Sequence, residues 1–240
     1  MTDPYFLTEL ADPLPPLGAQ VKLTGPEGHH AAVVRRLRVG ERVVLTDGAG
    51  RGLRGPVSAT GKTSLTVTVQ EHLDAPAPAV CYVVAQALAK GDRSDLALEM
   101  LTEVGVAEVL PWMSQRSVVR WTGERGDKAL VKWRATVREA AKQSRRLRVP
   151  EVGEPRRDLT ADVRAADLAL VLHEEATMPL REIALPATGS VLAVVGPEGG
   201  VAPEELAALT AAGAIAVSLG DGVLRTSTAG VVALAAMMLR

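Results

Sequence analysis

Aromatic residues are scarce in this chain of 240 residues: Phe, Trp and Tyr together make up 2% of it, against 47% apolar residues in all. Val, Leu and Ala must therefore fill the core, and recognition mainly by stacking on an exposed aromatic platform is disfavoured. Cysteine occurs once, as Cys81. An internal disulfide is impossible and a cysteine-rich zinc site is excluded, so a reducing cytosol is the expected setting. The N-terminus lacks a charged-then-apolar signal pattern, and no apolar run approaches the ~20 residues of a membrane span. Formal net charge is only -1, so no global field draws the chain to nucleic acid; the charge is instead unevenly distributed along it. The length suits one large domain or two modest ones.

What is present is concentrated in residues 191–236, where two glycine-rich turns each follow an apolar run. Val191 to Val195 is β-branched and continuous, as in a strand buried on both faces. It stops at Gly196-Pro197-Glu198-Gly199-Gly200, where backbone lacking side chains can approach a ligand. Pro203-Glu204-Glu205 opens a helix that ends at Gly213, with acids at the positive end of the dipole. Ala214 to Leu219 forms a second strand and runs into Gly220-Asp221-Gly222. Val223-Leu224-Arg225-Thr226-Ser227-Thr228 then leads into an Ala-rich helix reaching the C-terminus. Ligands of open α/β sheets sit outside the carboxyl ends of strands, and both turns lie there. Neither G-x-G-x-x-G nor the Walker spacing occurs in these loops, which leaves the usual dinucleotide and phosphate cradles without support.

GPEGG followed by LRTSTA closely resembles the C-terminal motifs of the SPOUT class of RNA methyltransferases, and in particular the RsmE family. The resemblance implies an α/β fold with a SPOUT-type parallel sheet, a C-terminal trefoil knot and a preceding small PUA-like β-barrel. It also implies methylation of N3 of a uridine in 16S ribosomal RNA of the small subunit, uridine 1498 in the family, with S-adenosylmethionine as donor. The cofactor residues it implies are Leu172, His173, Gly196, Glu198, Gly199, Gly200, Leu219, Gly220, Val223, Leu224, Thr226, Ser227 and Ala229. SPOUT enzymes are generally homodimers, so a homodimer is expected, with no membrane and no metal involved.

Residues 1–72 read as a small β-rich domain, with strands at Val21 to Leu23, Arg42 to Thr46 and Ser64 to Val69. Gly48, Gly50, Gly52, Gly55-Pro56 and Gly61 are expected to supply turns. Gly28-His29-His30 leads into a short helical pattern crowded with Arg35, Arg36 and Arg38, near Arg42, Arg51 and Arg54. This segment resembles the RsmE family's PUA-like RNA-binding domain, departing from it at Arg35, where an apolar residue is usual. Arg36 and Arg38 are candidate phosphate contacts; the alternative is a solvated charged face. Residues 73–79 read as a Pro/Ala linker.

Residues 80–240 alternate strand and helix as a parallel sheet requires. Val80 to Leu88 is followed by Lys90-Gly91-Asp92-Arg93, with Ser94 as expected N-cap and Gly105 as the helix stop. Val106 to Trp112 is followed by Gln115-Arg116-Ser117. KGDR, TEVGV, QRSV and WRATVREAAKQSRR resemble RsmE motifs in order and spacing, with a departure at Met100, where lysine is common. Lys132 to Arg157 is the most basic part, and Trp133, Val137, Ala140 and Ala141 form its apolar stripe. Within residues 80–240, Lys90, Arg93, Arg116, Arg145 and Arg146 are the candidate RNA contacts. Leu168 to Leu172 is a further buried strand, with His173 at its end.

Methyl transfer from a sulfonium needs alignment and no metal. Uridine N3 must lose its proton, and a fixed cation would stabilise the charge that spreads to the carbonyl oxygens. Arg225 is the candidate catalytic cation, and it stays protonated in proteins, so it is not the base. Glu198, His173 and water remain open as the proton acceptor, and His173 reads equally as a loop residue beside the cofactor. Two other functions stay in view: a SPOUT enzyme with a different target nucleotide, and a non-catalytic ribosome assembly factor.

Overall fold

The computed structural model describes residues 3–240, which divide into two compact units. The first comprises the chain up to Ala77 together with Ala141–Val149. Its strands are β1 (Tyr5–Leu7), β2 (Gln20–Leu23), β3 (Arg42–Thr46), β4 (Arg51–Thr60), β5 (Leu65–Thr68) and β6 (Glu71–Asp74), ordered β1-β3-β4-β5-β2 with β6 paired to β4. The long β4 lets the sheet curl: its first half pairs with β3 and β6, and after a bulge between Val57 and Ala59 its second half pairs with β5. Helix α1 (Gly25–His29) continues as a π-turn through His30–Val34. Phe6, Leu23, Ala31, Val43, Leu45, Val57, Leu65 and Val67 close the core, each fully buried branched side chain contributing roughly 1.5–3 kcal/mol.

The second unit comprises Pro78–Ala140 and Pro150–Arg240. It contains β7 (Val80–Ala87), α2 (Arg93–Val104), β8 (Glu108–Trp112), most of α3 (Gly123–Gln143), β9 (Glu151–Val152), α4 (Thr160–Ala165), β10 (Leu168–Leu172), β11 (Gly189–Val195), α5 (Pro203–Ala211), β12 (Ile215–Val217) and α6 (Thr226–Met238). All six strands are parallel, in the order β12-β10-β11-β7-β8-β9. Every carboxyl end therefore opens on one edge of the sheet, where parallel α/β sheets carry their ligands. Val191 to Val195 are buried on both faces, as their continuous β-branched run requires. Trp133, Val137, Ala140 and Ala141 are buried along α3, so the 3.6-residue stripe is the packed face. No helix among the described residues is long and apolar enough to cross a membrane.

Several expectations need correction. Gly52, Gly55 and Pro56 lie inside β4 and make no turn; a Cβ at Gly55 would collide with the Thr68 carbonyl, so glycine there permits close strand approach. Tyr5–Leu7 forms a strand that went unread, because its three residues are too few to show a period. Residues 71–74 are paired as β6, so regular structure extends into the segment expected to be a free linker. Residues 141–149, read as part of the second domain, belong to the first unit: the Gly50 N–H donates to the Leu147 carbonyl at 3.0 Å and the Lys142 ammonium meets Glu27 at 2.7 Å. Ser94 is not the N-cap of α2. Asp92 holds that position, while the Ser94 hydroxyl accepts from the Ala89 N–H at 3.1 Å and closes the loop after β7.

Candidate cofactor cleft

The loops after β10, β11 and β12 meet at the carboxyl edge of the sheet and enclose a cleft of about 270 Å³. Leu172, Gly196, Glu198, Gly200, Val223, Leu224, Thr226 and Ala229, all expected at the site, line it together with Arg225. A smaller adjoining recess of about 70 Å³ adds His173, Leu219 and Gly220, so eleven of the thirteen expected cofactor residues are brought together. Gly199 and Ser227 stand outside the lining; Ser227 is buried in the first turn of α6. Gly200 has φ +73°, a conformation that L side chains rarely adopt, so glycine lets the first loop make its turn without strain.

Two buried polar groups lock the loops together. The Thr226 hydroxyl donates to the Gly196 carbonyl at 2.8 Å, and the Gln86 amide donates to the Thr226 hydroxyl at 3.0 Å. Gln86 is 1% exposed and sits near the end of β7, so its amide anchors both loops to the centre of the sheet. Sequence reasoning missed Gln86; the signal was there, as a polar residue inside an otherwise apolar strand has to find a partner.

Glu205 is a second anchor. Its carboxylate accepts from the Gln115 N–H at 2.8 Å, the Ser114 hydroxyl at 3.0 Å and the Ala202 N–H at 3.2 Å. It joins the loop after β8 to the start of α5, a more specific task than complementing the helix dipole. Arg116 donates to the Gly199 carbonyl at 2.9 Å, and Arg93 pairs with Glu198 at 3.2 Å. Both arginines, expected to reach RNA, thus also brace the first glycine loop.

The two side chains considered as proton acceptors are occupied. Glu198 faces the Arg93 guanidinium and accepts from the Lys90 N–H at 3.4 Å, so its charge is already compensated. Nδ1 of His173 accepts from the Glu175 N–H at 3.2 Å, which in the neutral ring leaves the proton on Nε2. Glu174 lines both parts of the cleft, was not anticipated, and has no ion-pair partner among the described residues.

The basic residues divide sharply. Arg51 pairs with Asp47, Arg54 with Glu71, Lys132 with Asp95, Arg134 with Glu154, Lys142 with Glu27 and Arg156 with Asp162. Counting only acids nearby in sequence missed Glu27, Asp95 and Asp162, which arrive from other elements. The Arg36 and Arg38 side chains are exposed, and their guanidinium groups have no carboxylate partner among the described residues, although the Arg38 backbone N–H donates to Glu41 at 2.5 Å. Arg36 and Arg145 both take the left-handed conformation, at φ 53° and 58°, where a helix ends. Arg146 is half-buried, and desolvation pushes its guanidinium below the ordinary arginine range. Among the described residues no cluster of His, Cys, Asp or Glu could hold a metal ion.

A parallel sheet with two interlocked glycine loops at its carboxyl edge, in a chain that also holds a curled β unit, is the layout of an RNA methyltransferase with a PUA domain. Residues 76–238 match the RNA methyltransferase domain model, and residues 23–70 match the RNA methyltransferase PUA domain model. The chain is 49% identical over 232 residues to the ribosomal RNA small subunit methyltransferase E of Mycobacterium bovis, covering 94% of this chain and 88% of that protein. It is 30% identical to the Bacillus subtilis protein of the same name, over 90% of this chain and 88% of that one. The crystal structure of ribosomal RNA small subunit methyltransferase E from Neisseria gonorrhoeae, bound to S-adenosyl methionine, superposes with a TM-score of 0.87 at 28% identity, covering 99% of this chain and 98% of that one. This chain belongs to the ribosomal RNA small subunit methyltransferase E family.

Proposed function

We propose that this protein transfers a methyl group from S-adenosylmethionine to N3 of one uridine in 16S ribosomal RNA, uridine 1498 by family resemblance. The observation that carries the reading is the interlock of the two glycine loops through Thr226 and Gly196, with Arg225 at the same cleft. The cleft suits the donor because much of its wall is backbone and apolar side chain, and Gly200 allows the main chain to come close. When bound, the donor supplies an electrophilic methyl on a sulfonium. The chain's part is to hold and align it. Arg225, exposed at the first residue before α6, is positioned to stabilise negative charge developing on the uracil oxygens. With Glu198 paired and Nδ1 of His173 already accepting, water is the better-supported proton acceptor.

The finer architecture belongs to the same proposal. The two glycine loops belong to a C-terminal trefoil knot, and the protein works in the cytoplasm as a homodimer. Helix α6 supports the dimer: beyond its first turn it is apolar, yet Val232 and Ala236, one turn apart, remain exposed, leaving an uncovered face. Arg36, Arg38, Lys90, Arg93, Arg116, Arg145 and Arg146 are proposed to contact RNA. Incubating small ribosomal subunits from cells lacking this protein with purified protein and methyl-labelled donor tests the assignment. Label recovered as 3-methyluridine at one site is the expected result. Label on a different nucleoside would move the target, and cofactor binding without RNA labelling would favour an assembly factor.

A further inference from the structure

A second cavity, of about 710 Å³, is lined in part by Lys90, Gly91 and Ser94, from the segment whose Arg93 lines the cofactor cleft. Its walls are the loop after β7, the start of α2, residues 118–121 and one face of α3. Trp121 is half-buried in this wall, with its ring edge-on to the buried Trp133 at 4.9 Å and 78°. Two features fix the backbone that carries that ring. Arg120, the residue before it, donates to the carbonyls of Met113 at 3.1 Å, Ser114 at 2.6 Å and Gln115 at 2.8 Å, which staples the loop to the end of β8. Gly126, in the first turns of α3, packs so closely that a Cβ would lie 2.9 Å from the Trp121 carbonyl carbon and 3.2 Å from its Cβ. A backbone held this tightly presents the indole with little conformational freedom left to lose.

The charge left unpaired around the ring has one sign. Lys90 and Arg125 line the cavity and are exposed, and neither the Lys90 ammonium nor the Arg125 guanidinium has a carboxylate partner among the described residues. The acid within it, Asp95, is neutralised by Lys132 at 2.5 Å. A rigid aromatic ring beside unpaired cations is the arrangement that takes an unstacked base of single-stranded nucleic acid, with the ring against the base and the cations on its phosphate. A purely apolar partner would leave Lys90 and Arg125 desolvated without compensation. The cavity also adjoins the cofactor cleft directly, since the Lys90 N–H reaches Glu198 of the first glycine loop.

We infer that this cavity is a subsite for a nucleotide flanking the methylated one, stacked on Trp121 and held through its phosphate by Lys90 and Arg125. The inference rests on the RNA methyltransferase reading for the identity of the flanked nucleotide, but the stacking site has its own test. One stacked base fits the scarcity of aromatics, because it needs a single indole and no platform.

Trp121→Leu removes the stacking ring while keeping apolar cover over Trp133, and Trp121→Phe keeps a ring. Affinity for a short single-stranded RNA spanning the target is measured by fluorescence anisotropy, alongside methylation kinetics on small subunits and cofactor affinity by calorimetry. We expect Trp121→Leu to weaken RNA binding about tenfold. KM for the subunit should rise similarly, with cofactor affinity unchanged, and Trp121→Phe should recover most of the loss. Lys90→Gln should weaken binding and flatten its salt dependence. RNA affinity unchanged in Trp121→Leu, with cofactor binding intact, would overturn the subsite. Equal behaviour of the Leu and Phe variants would do the same, as would a defect confined to assembled subunits and absent on naked RNA, which would point to a protein contact. RNA binding that depends on Trp121 in a protein that methylates no RNA would leave the subsite standing and sink the methyl-transfer reading.

Discussion

The Thr226 hydroxyl donates to the carbonyl of Gly196 at 2.8 Å while accepting from the Gln86 amide at 3.0 Å. Residues distant in sequence thus meet in one buried chain of hydrogen bonds. Thr226→Val preserves shape but leaves the Gly196 carbonyl and the Gln86 amide each short of a partner. The expected cost is about 1–3 kcal/mol. A melting temperature lowered by several degrees, together with weaker cofactor binding in calorimetry, would show that the two loops share one anchor.

Arg225 lines the cleft directly before the buried start of α6. Arg225→Ala should lower kcat by about a hundredfold or more, the scale for losing one group that stabilises developing charge. Cofactor affinity should stay within about twofold, since uniform binding is not what this side chain provides. Single-turnover assays beside equilibrium dialysis separate the two, and an equal loss in both would reassign Arg225 to cofactor binding.

Arg36 has a left-handed backbone at φ 53° and an exposed side chain. Glycine relieves that conformational cost, so Arg36→Gly should stabilise the protein by up to about 1 kcal/mol in denaturant unfolding. If the arginine contacts phosphate, RNA affinity should fall in the same variant and its salt slope should drop by about one. Greater stability with unchanged RNA binding would show that the charge is merely solvated.

Glu108 lies opposite Glu151 in the register of β8 and β9, and burial followed by that like charge raises its pKa above the ordinary value of 4.5. Arg156 offsets this in part and Asp162 adds to it. The folded protein therefore holds this proton more tightly than the unfolded chain does. Ionising Glu108 costs stability, a cost absent below the ordinary carboxylate pKa and fully developed once pH exceeds the folded value. Glu108→Gln should accordingly melt higher than the parent at neutral pH, with the difference closing on acidification to about pH 4. A constant difference at both pH values would assign the effect to packing.

Much of the cleft was legible because its loops are written in glycine between continuous apolar runs, and such runs admit few other structures. Leu172, Gly196, Gly200, Leu224 and Thr226 fall together as the motifs imply. Glu205 was not legible, because its partners Ser114 and Gln115 are brought near only by the sheet order β11-β7-β8, whereas Gln86 stood out as a polar residue in an apolar strand without naming its partner Thr226. Ion pairs failed for the same reason: Lys142 finds Glu27 from far earlier in the chain, and no local tally of charge could have paired them. The short β1 and the glycines inside β4 show the opposite limit, where backbone pairing overrides local turn chemistry.

Glu174 bears on how the enzyme clears its site between cycles. The carboxylate lines both parts of the cleft and is unpaired among the described residues, whereas most of the wall is backbone or apolar. On the proposed function, donor and spent product differ chiefly by one methyl and one positive charge, which the backbone and apolar parts of the wall and the paired Glu198 distinguish little. An exposed carboxylate tilts that balance by under about 1 kcal/mol, a few-fold preference for the cation. In Glu174→Gln that preference should shrink, and competition binding of donor against product would measure it. The side chain would then act as an ejector, easing product inhibition each time the positive charge is used up.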